Sequence, residues 1–133
     1  MARHSTLALY RPVGPKELEL IRQADWRAFP PRLDWQPIFC PVLNESYARQ
    51  IARDWNATKE ETGFRGYVTR FNVDAVYAAR FETHLVGGRE HVELWVPAEE
   101  LDEFNAHIIG PIDVLAAYEG GEGIEPVEVA FRK

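Results

Sequence analysis

"HVELWVP", residues 91–97, sets a carboxylate, Glu93, between a histidine and a tryptophan at alternate positions. In an extended strand alternate residues share a face, so His91, Glu93 and Trp95 lie together and Val92, Leu94 and Val96 lie opposite. That polar and aromatic face has two readings. It is the solvent side of a half-buried strand, or it is the wall of a cleft where Glu93 holds a ribose hydroxyl or stabilises a cationic transition state by its charge. Glu90, three residues earlier, points to the other face, which disfavours a paired-carboxylate mechanism. Arg11 follows Tyr10 near the end of an early β-compatible segment. It reads as a surface arginine or as a bidentate clamp on phosphate or carboxylate. In "FPPRLDWQ", Arg32 stands beside prolines and near Trp35. Such a stiff loop is either a connector pinned by tryptophan or a pocket wall that combines a cation with an aromatic ring.

Other chemistries find little support. Cys40 lies in the apolar run "PIFCPVL", the setting of an inert buried thiol rather than a nucleophile. Neither a G-x-S-x-G elbow nor a phosphate-binding loop occurs. The histidines, at 4, 84, 91 and 107, show neither HExxH nor paired Cys/His spacing, so no metal is expected.

The elements that must position these residues fit in one domain of 133 residues. A hydrophobic content of 46%, with 12% aromatic residues, supplies one core without disulfides or metals. The formal net charge of −6 and scattered arginines argue against a nucleic-acid partner, which would call for a basic stripe. A single cysteine fits a reducing compartment. The start lacks the apolar run of a signal peptide, and no stretch approaches the ~20 apolar residues of a membrane span. A cytoplasmic protein with no membrane partner is the expectation.

Along the chain, Thr6–Pro12 reads as a strand and residues 15–24 as a helix opening at Pro15. The proline-rich loop 26–37 is expected to be ordered, with Trp26, Phe29 and Trp35 anchored in the core. "PIFCPVL" reads as a short strand. Asn44 caps a helix over 45–55 whose face carries Tyr47, Ile51 and Trp55. "FRGYVTRFNV" reads as a strand with Tyr67, Thr69 and Phe71 on one side and Val68, Arg70 and Asn72 on the other. A turn of helix over "DAVYAARF" precedes a hairpin of "THLVGG" and "HVELWVP", turned at "GGRE". Pro97 opens a helix burying Leu101, Phe104 and Ile108, and "GPIDVLAAY" is a further strand. This irregular order predicts one α+β domain over 1–118, a mostly antiparallel sheet with about three short helices. Residues 119–133, "EGGEGIEPVEVAFRK", are expected to be a tail that adds little to the core, or else an extra strand.

"LYRPVGPKELELI", "FPPRLDWQPIFCPVLNESYA", "GYVTRF" and "GGREHVELWVPAEELDEFNAHIIGPIDV" together resemble a family of small bacterial proteins labelled "ADP-ribosylation/crystallin J1". The resemblance covers roughly residues 7–118. The ADP-ribosyl hydrolases behind the crystallin half of that label are much larger helical, magnesium-binding proteins, and this chain is too short and too β-rich for them. The other half implies an ADP-ribosyltransferase-like fold acting on NAD, as a transferase or an NAD glycohydrolase. By that resemblance Glu93 is the catalytic carboxylate on a late strand, binding the nicotinamide ribose. Arg11 supports the NAD phosphates, and Tyr67 and Thr69 occupy the middle-strand positions that hold the site together. Arg32, Trp35 and His91 complete the expected cofactor-binding set. His91 stands where arginine-modifying members carry a second glutamate, and Thr69 lacks its serine neighbour. A non-catalytic domain of the same fold, binding a small molecule, a nucleotide or a protein, is the alternative. Convergence of Arg11, Thr69 and Glu93 in one pocket lined by Trp35 or Trp95 favours the enzyme, and separation favours the binding domain.

Overall fold

Alternation along the first segment sets Leu9 and Val13 into a core and leaves Thr6 exposed, the pattern of a strand packed on one side. The computed structural model describes residues 5–87 and 91–132. In it β1 (Thr6–Val13) pairs antiparallel with β3 (Arg65–Asp74), which pairs with β6 (Ile108–Gly121), which pairs with β7 (Ile124–Val129). A second antiparallel group has the order β2 (Ile38–Phe39), β5 (Val92–Pro97), β4 (Glu82–Leu85). The chain beyond β2 joins the two groups. Tyr10 and Val42 exchange backbone hydrogen bonds at 2.9 and 2.7 Å, and Leu94 donates to the Pro41 carbonyl at 2.8 Å. Val42 is thus bridged to Tyr10 on one side and to Glu93 on the other. The mixture of helices with antiparallel strands is the α+β architecture that the sequence predicts.

Two apolar clusters cover opposite faces. The larger contains Leu9, Val13, Phe39, Phe71, Leu94, Val96 and Ile112, with α1 (Pro15–Gln23), α3 (Ala75–Ala78) and α4 (Leu101–Ala106) set against it. The smaller contains Val42, Val68, Ala116 and Tyr118 under α2 (Glu45–Asp54). β3 is consequently buried on both sides between Gly66 and Thr69, with an irregularity between Val68 and Thr69.

Local chemistry explains the helix ends. Pro15 occupies the first turn of α1 behind Gly14, and the Asn44 side chain accepts a hydrogen bond from the Tyr47 N–H to cap α2. Beyond α1, Asp25 and Trp26 adopt φ of 58° and 60°, a left-handed turn that sends the proline-rich loop back along the sheet. The Trp26 carbonyl accepts from the Ile112 N–H at 2.7 Å and fixes that turn. The hairpin of β4 and β5 forms as expected, although Gly88, Arg89 and Glu90 of its turn lie outside the described residues.

Three expectations are corrected. Trp35 is not a core anchor: its ring is 74% exposed, because the prolines carry the loop outward at that point. Trp35→Ala should change stability by no more than about 0.5 kcal/mol in a denaturant titration. Trp26 does pack, half-buried, against the larger cluster. On α2 the buried seam is Ala48 and Ala52, and Trp55 is 60% exposed, since small residues let the helix approach Gly66 of β3. Finally, residues 124–129 are a strand paired with β6, and Phe131 packs on Tyr67, so the C-terminal segment takes part in the sheet and the core.

Candidate ligand-binding site

Ladder register decides which candidate residues can meet. Partners across an antiparallel ladder share a face, so the row Tyr10, Val42, Glu93 points to the α2 side. Arg11, one residue further along β1, points to the other side, together with its register partner Thr69. Arg11 and Thr69 therefore sit on the face of the larger core and Glu93 on the opposite face.

On the α2 side, Glu93 is half-buried and accepts hydrogen bonds from the Tyr47 hydroxyl at 3.1 Å and the Trp95 indole N–H at 3.2 Å. His91 stacks on Tyr47 and His84 on Trp95, with ring centres 4.2 and 3.7 Å apart. Burial, together with the Glu93 charge and hydrogen bond, pushes the Tyr47 phenol up to about 12. Burial, reinforced by Glu93, also raises the Cys40 thiol, which keeps it protonated and poorly nucleophilic.

On the other face, Thr69, Tyr67 and Arg11 are engaged within the protein. Thr69 is fully buried, and its hydroxyl donates to the Arg11 carbonyl at 2.8 Å, a cross-strand structural bond. Tyr67 packs edge-on against Phe131. Arg11 lies over the Phe39 ring at 4.6 Å and makes a bidentate pair with Glu17 at 2.6 and 3.0 Å. Its guanidinium is already satisfied by the protein.

Arg32 is different. Its Nε is buried without a hydrogen-bond partner, and the guanidinium forms no ion pair among the described residues. Burial, and next the neighbouring Arg11 charge, lower its pKa from the ordinary arginine value. Arg32 lines a cavity of about 680 Å³ between the start of α1, the proline-rich loop and the 61–65 segment. Pro15, Leu20, Pro30, Pro31 and Leu33 give it apolar walls, and Lys16, Glu17, Glu61 and Arg65 bring charge to them. A mostly apolar pocket of this size with a few convergent polar groups is the usual form of a small-molecule site.

Of the seven residues expected to form one site, Arg32 alone lines this cavity. Trp35 does not line it, although Leu33 and Gln36, the ends of the turn that holds Trp35, do. The sequence reading did not identify Lys16, Glu61 or Arg65. The Pro30-Pro31-Arg32 run was the local signal for one wall, but the opposite wall comes from a segment about thirty residues away.

The fold and the cavity define an α+β domain of antiparallel sheet with a pocket beside its first helix. No known family model, curated protein or solved structure matches the chain.

Proposed function

We propose that the protein is a small-molecule-binding domain whose cavity beside α1 takes an anionic ligand, with Arg32 as the recognition residue. The observation that carries the reading is the half-buried Arg32 guanidinium, whose Nε has no hydrogen-bond partner and which has no carboxylate within ion-pair distance among the described residues. Burying an uncompensated charge costs stability, and an arriving anion would offset that cost. The separation of Arg11 and Thr69 from Glu93 favours binding over NAD chemistry.

Arg32→Met keeps the length of the stem and removes the charge. It should raise stability by about 1 kcal/mol, near 4 °C in melting temperature, while abolishing anion binding. Thermal-shift titration of both proteins with carboxylates, phosphate and NAD is the measurement. Loss of stability in the variant, or anion binding unchanged by it, would refute the reading.

A second reading rests on Glu93, a carboxylate held in place by Tyr47 and Trp95. A fixed negative charge is what an oxocarbenium-like transition state needs, so NAD cleavage or ADP-ribosyl transfer is the reaction it would serve. Glu93→Gln should then abolish NAD turnover with the fold intact. A wild-type protein that neither binds nor cleaves NAD removes this reading.

A further inference from the structure

The chemistry of the cavity walls narrows the ligand, provided that the cavity is a binding site as proposed above. Five ionisable side chains line it: Lys16, Glu17, Arg32, Glu61 and Arg65. Glu17 is neutralised by Arg11, and Arg65 lies 3.6 Å from Glu119. Lys16, Arg32 and Glu61 form no ion pair among the described residues. Two positive groups against one negative leave an excess of one positive charge. That balance fits a monoanion, whereas the charge of a di- or triphosphate would exceed it.

Gln36 and Thr62 also line it, but Gln36 Oε1 already accepts from the Leu33 N–H and the Thr62 hydroxyl already donates to the Asn56 and Lys59 carbonyls. The remaining lining is glycine and hydrocarbon, and it continues outward. Leu20 and Leu33 are 39% and 54% exposed, and both line the cavity. Trp35, also exposed, lies in the turn between Leu33 and Gln36. Its turn is braced by the Leu33 N–H donating to Gln36 Oε1 at 3.1 Å and the Gln36 N–H donating to the Leu33 carbonyl at 2.8 Å. Exposed apolar groups beside a cavity mark a surface completed by a ligand. A sugar-rich body would need polar partners that Pro15, Leu20, Pro30, Pro31 and Leu33 do not supply.

We infer that the ligand is an organic monocarboxylate with an apolar body, its carboxylate on Arg32 and its hydrocarbon against Leu20, Leu33 and Trp35. The guanidinium supplies charge and direction, and the leucines and the indole supply length selectivity.

Calorimetric titration with acetate, octanoate, octanol and AMP tests this. Each buried methylene is worth about fourfold in affinity, so burying about half of the six that octanoate adds to acetate makes it roughly sixtyfold tighter. Octanol, lacking the charge, should not bind measurably, and AMP should bind more weakly than octanoate. Binding of octanoate should quench or shift the tryptophan emission, and Trp35→Phe should remove that change. Leu33→Ala should cut the octanoate-to-acetate ratio about tenfold. Equal affinity for acetate and octanoate would overturn the apolar-body inference while leaving an anion site in place. AMP tighter than octanoate would likewise overturn it in favour of a nucleotide. Failure of every anion to bind would remove the cavity reading itself, and this inference with it.

Discussion

Phe104→Ala should destabilise the protein by about 4 kcal/mol, measured as a fall in denaturant midpoint at unchanged slope. Phe104 is fully buried at the centre of an aromatic group. Its ring centre lies 5.7 Å from Phe39, 6.2 Å from Phe71, 6.2 Å from Tyr77 and 6.0 Å from Phe81, mostly in edge-to-face arrangements. Those rings belong to β2, β3, α3 and the segment leading to β4, so the side chain ties α4 to both strand groups. Removing it deletes the transfer energy of a phenyl group and leaves a void that stiff aromatic neighbours fill poorly. A domain of this size has only about 5–15 kcal/mol to lose, so the variant should be close to unfolding at elevated temperature. Phe104→Leu keeps most of the volume and should cost about half as much. An alanine variant within about 1 kcal/mol of wild type would mean that α4 is not part of the cooperative core.

Gly66→Ala should cost about 3 kcal/mol and act at a different place, the contact of α2 with β3. A Cβ at this position would stand 2.3 Å from the Ala52 carbonyl oxygen, 2.8 Å from the Asn56 Cβ and 3.0 Å from the Ala52 carbonyl carbon. Two of these neighbours are backbone atoms near the end of α2, and backbone moves only if the helix lifts. The buried seam of Ala48 and Ala52 would then open, and Tyr47 would shift relative to Glu93. The measurement is again a denaturant midpoint, combined with the near-ultraviolet signal of the Tyr47 and Trp95 environment. Wild-type stability in the variant would show that α2 rides loosely on the sheet. Gly110 provides the contrast. It has φ of 79° but open space around its Cβ direction, so alanine there meets backbone strain alone.

Neither substitution changes a residue that lines the cavity, where Arg32 acts on stability in the opposite sense. Arg32 is half-buried and has no ion-pair partner among the described residues, whereas Arg11 is satisfied by the bidentate carboxylate of Glu17. The proposed anion site accounts for that unpaired charge as one held for a ligand at some expense of stability.

Much of the local structure was legible because its causes are local. Pro15 behind Gly14, Asn44 before an amphipathic run, and strict alternation in 91–96 announce α1, α2 and β5 through backbone sterics, capping and period. The α+β class follows from the irregular order of those elements. Face assignment within a strand was legible too: Leu94 and Val96 are buried, opposite Glu93 and Trp95. What a strand cannot report is the register of its neighbours. Arg11 and Glu93 seemed able to share a pocket until the Tyr10–Val42–Glu93 row put them on opposite faces, and that row depends on hydrogen bonds between segments about thirty and about fifty residues apart. The same limit applies to Trp35, where hydrophobicity predicts burial but only the path of the proline loop decides it. It applies equally to "IEPVEV", whose strand exists because β6 offers it an edge. Spacing, capping and turn residues announce most of the elements and their class. The sheet register and the packing of distant segments alone decided the site, because a one-residue offset in pairing exchanges the two faces of a strand.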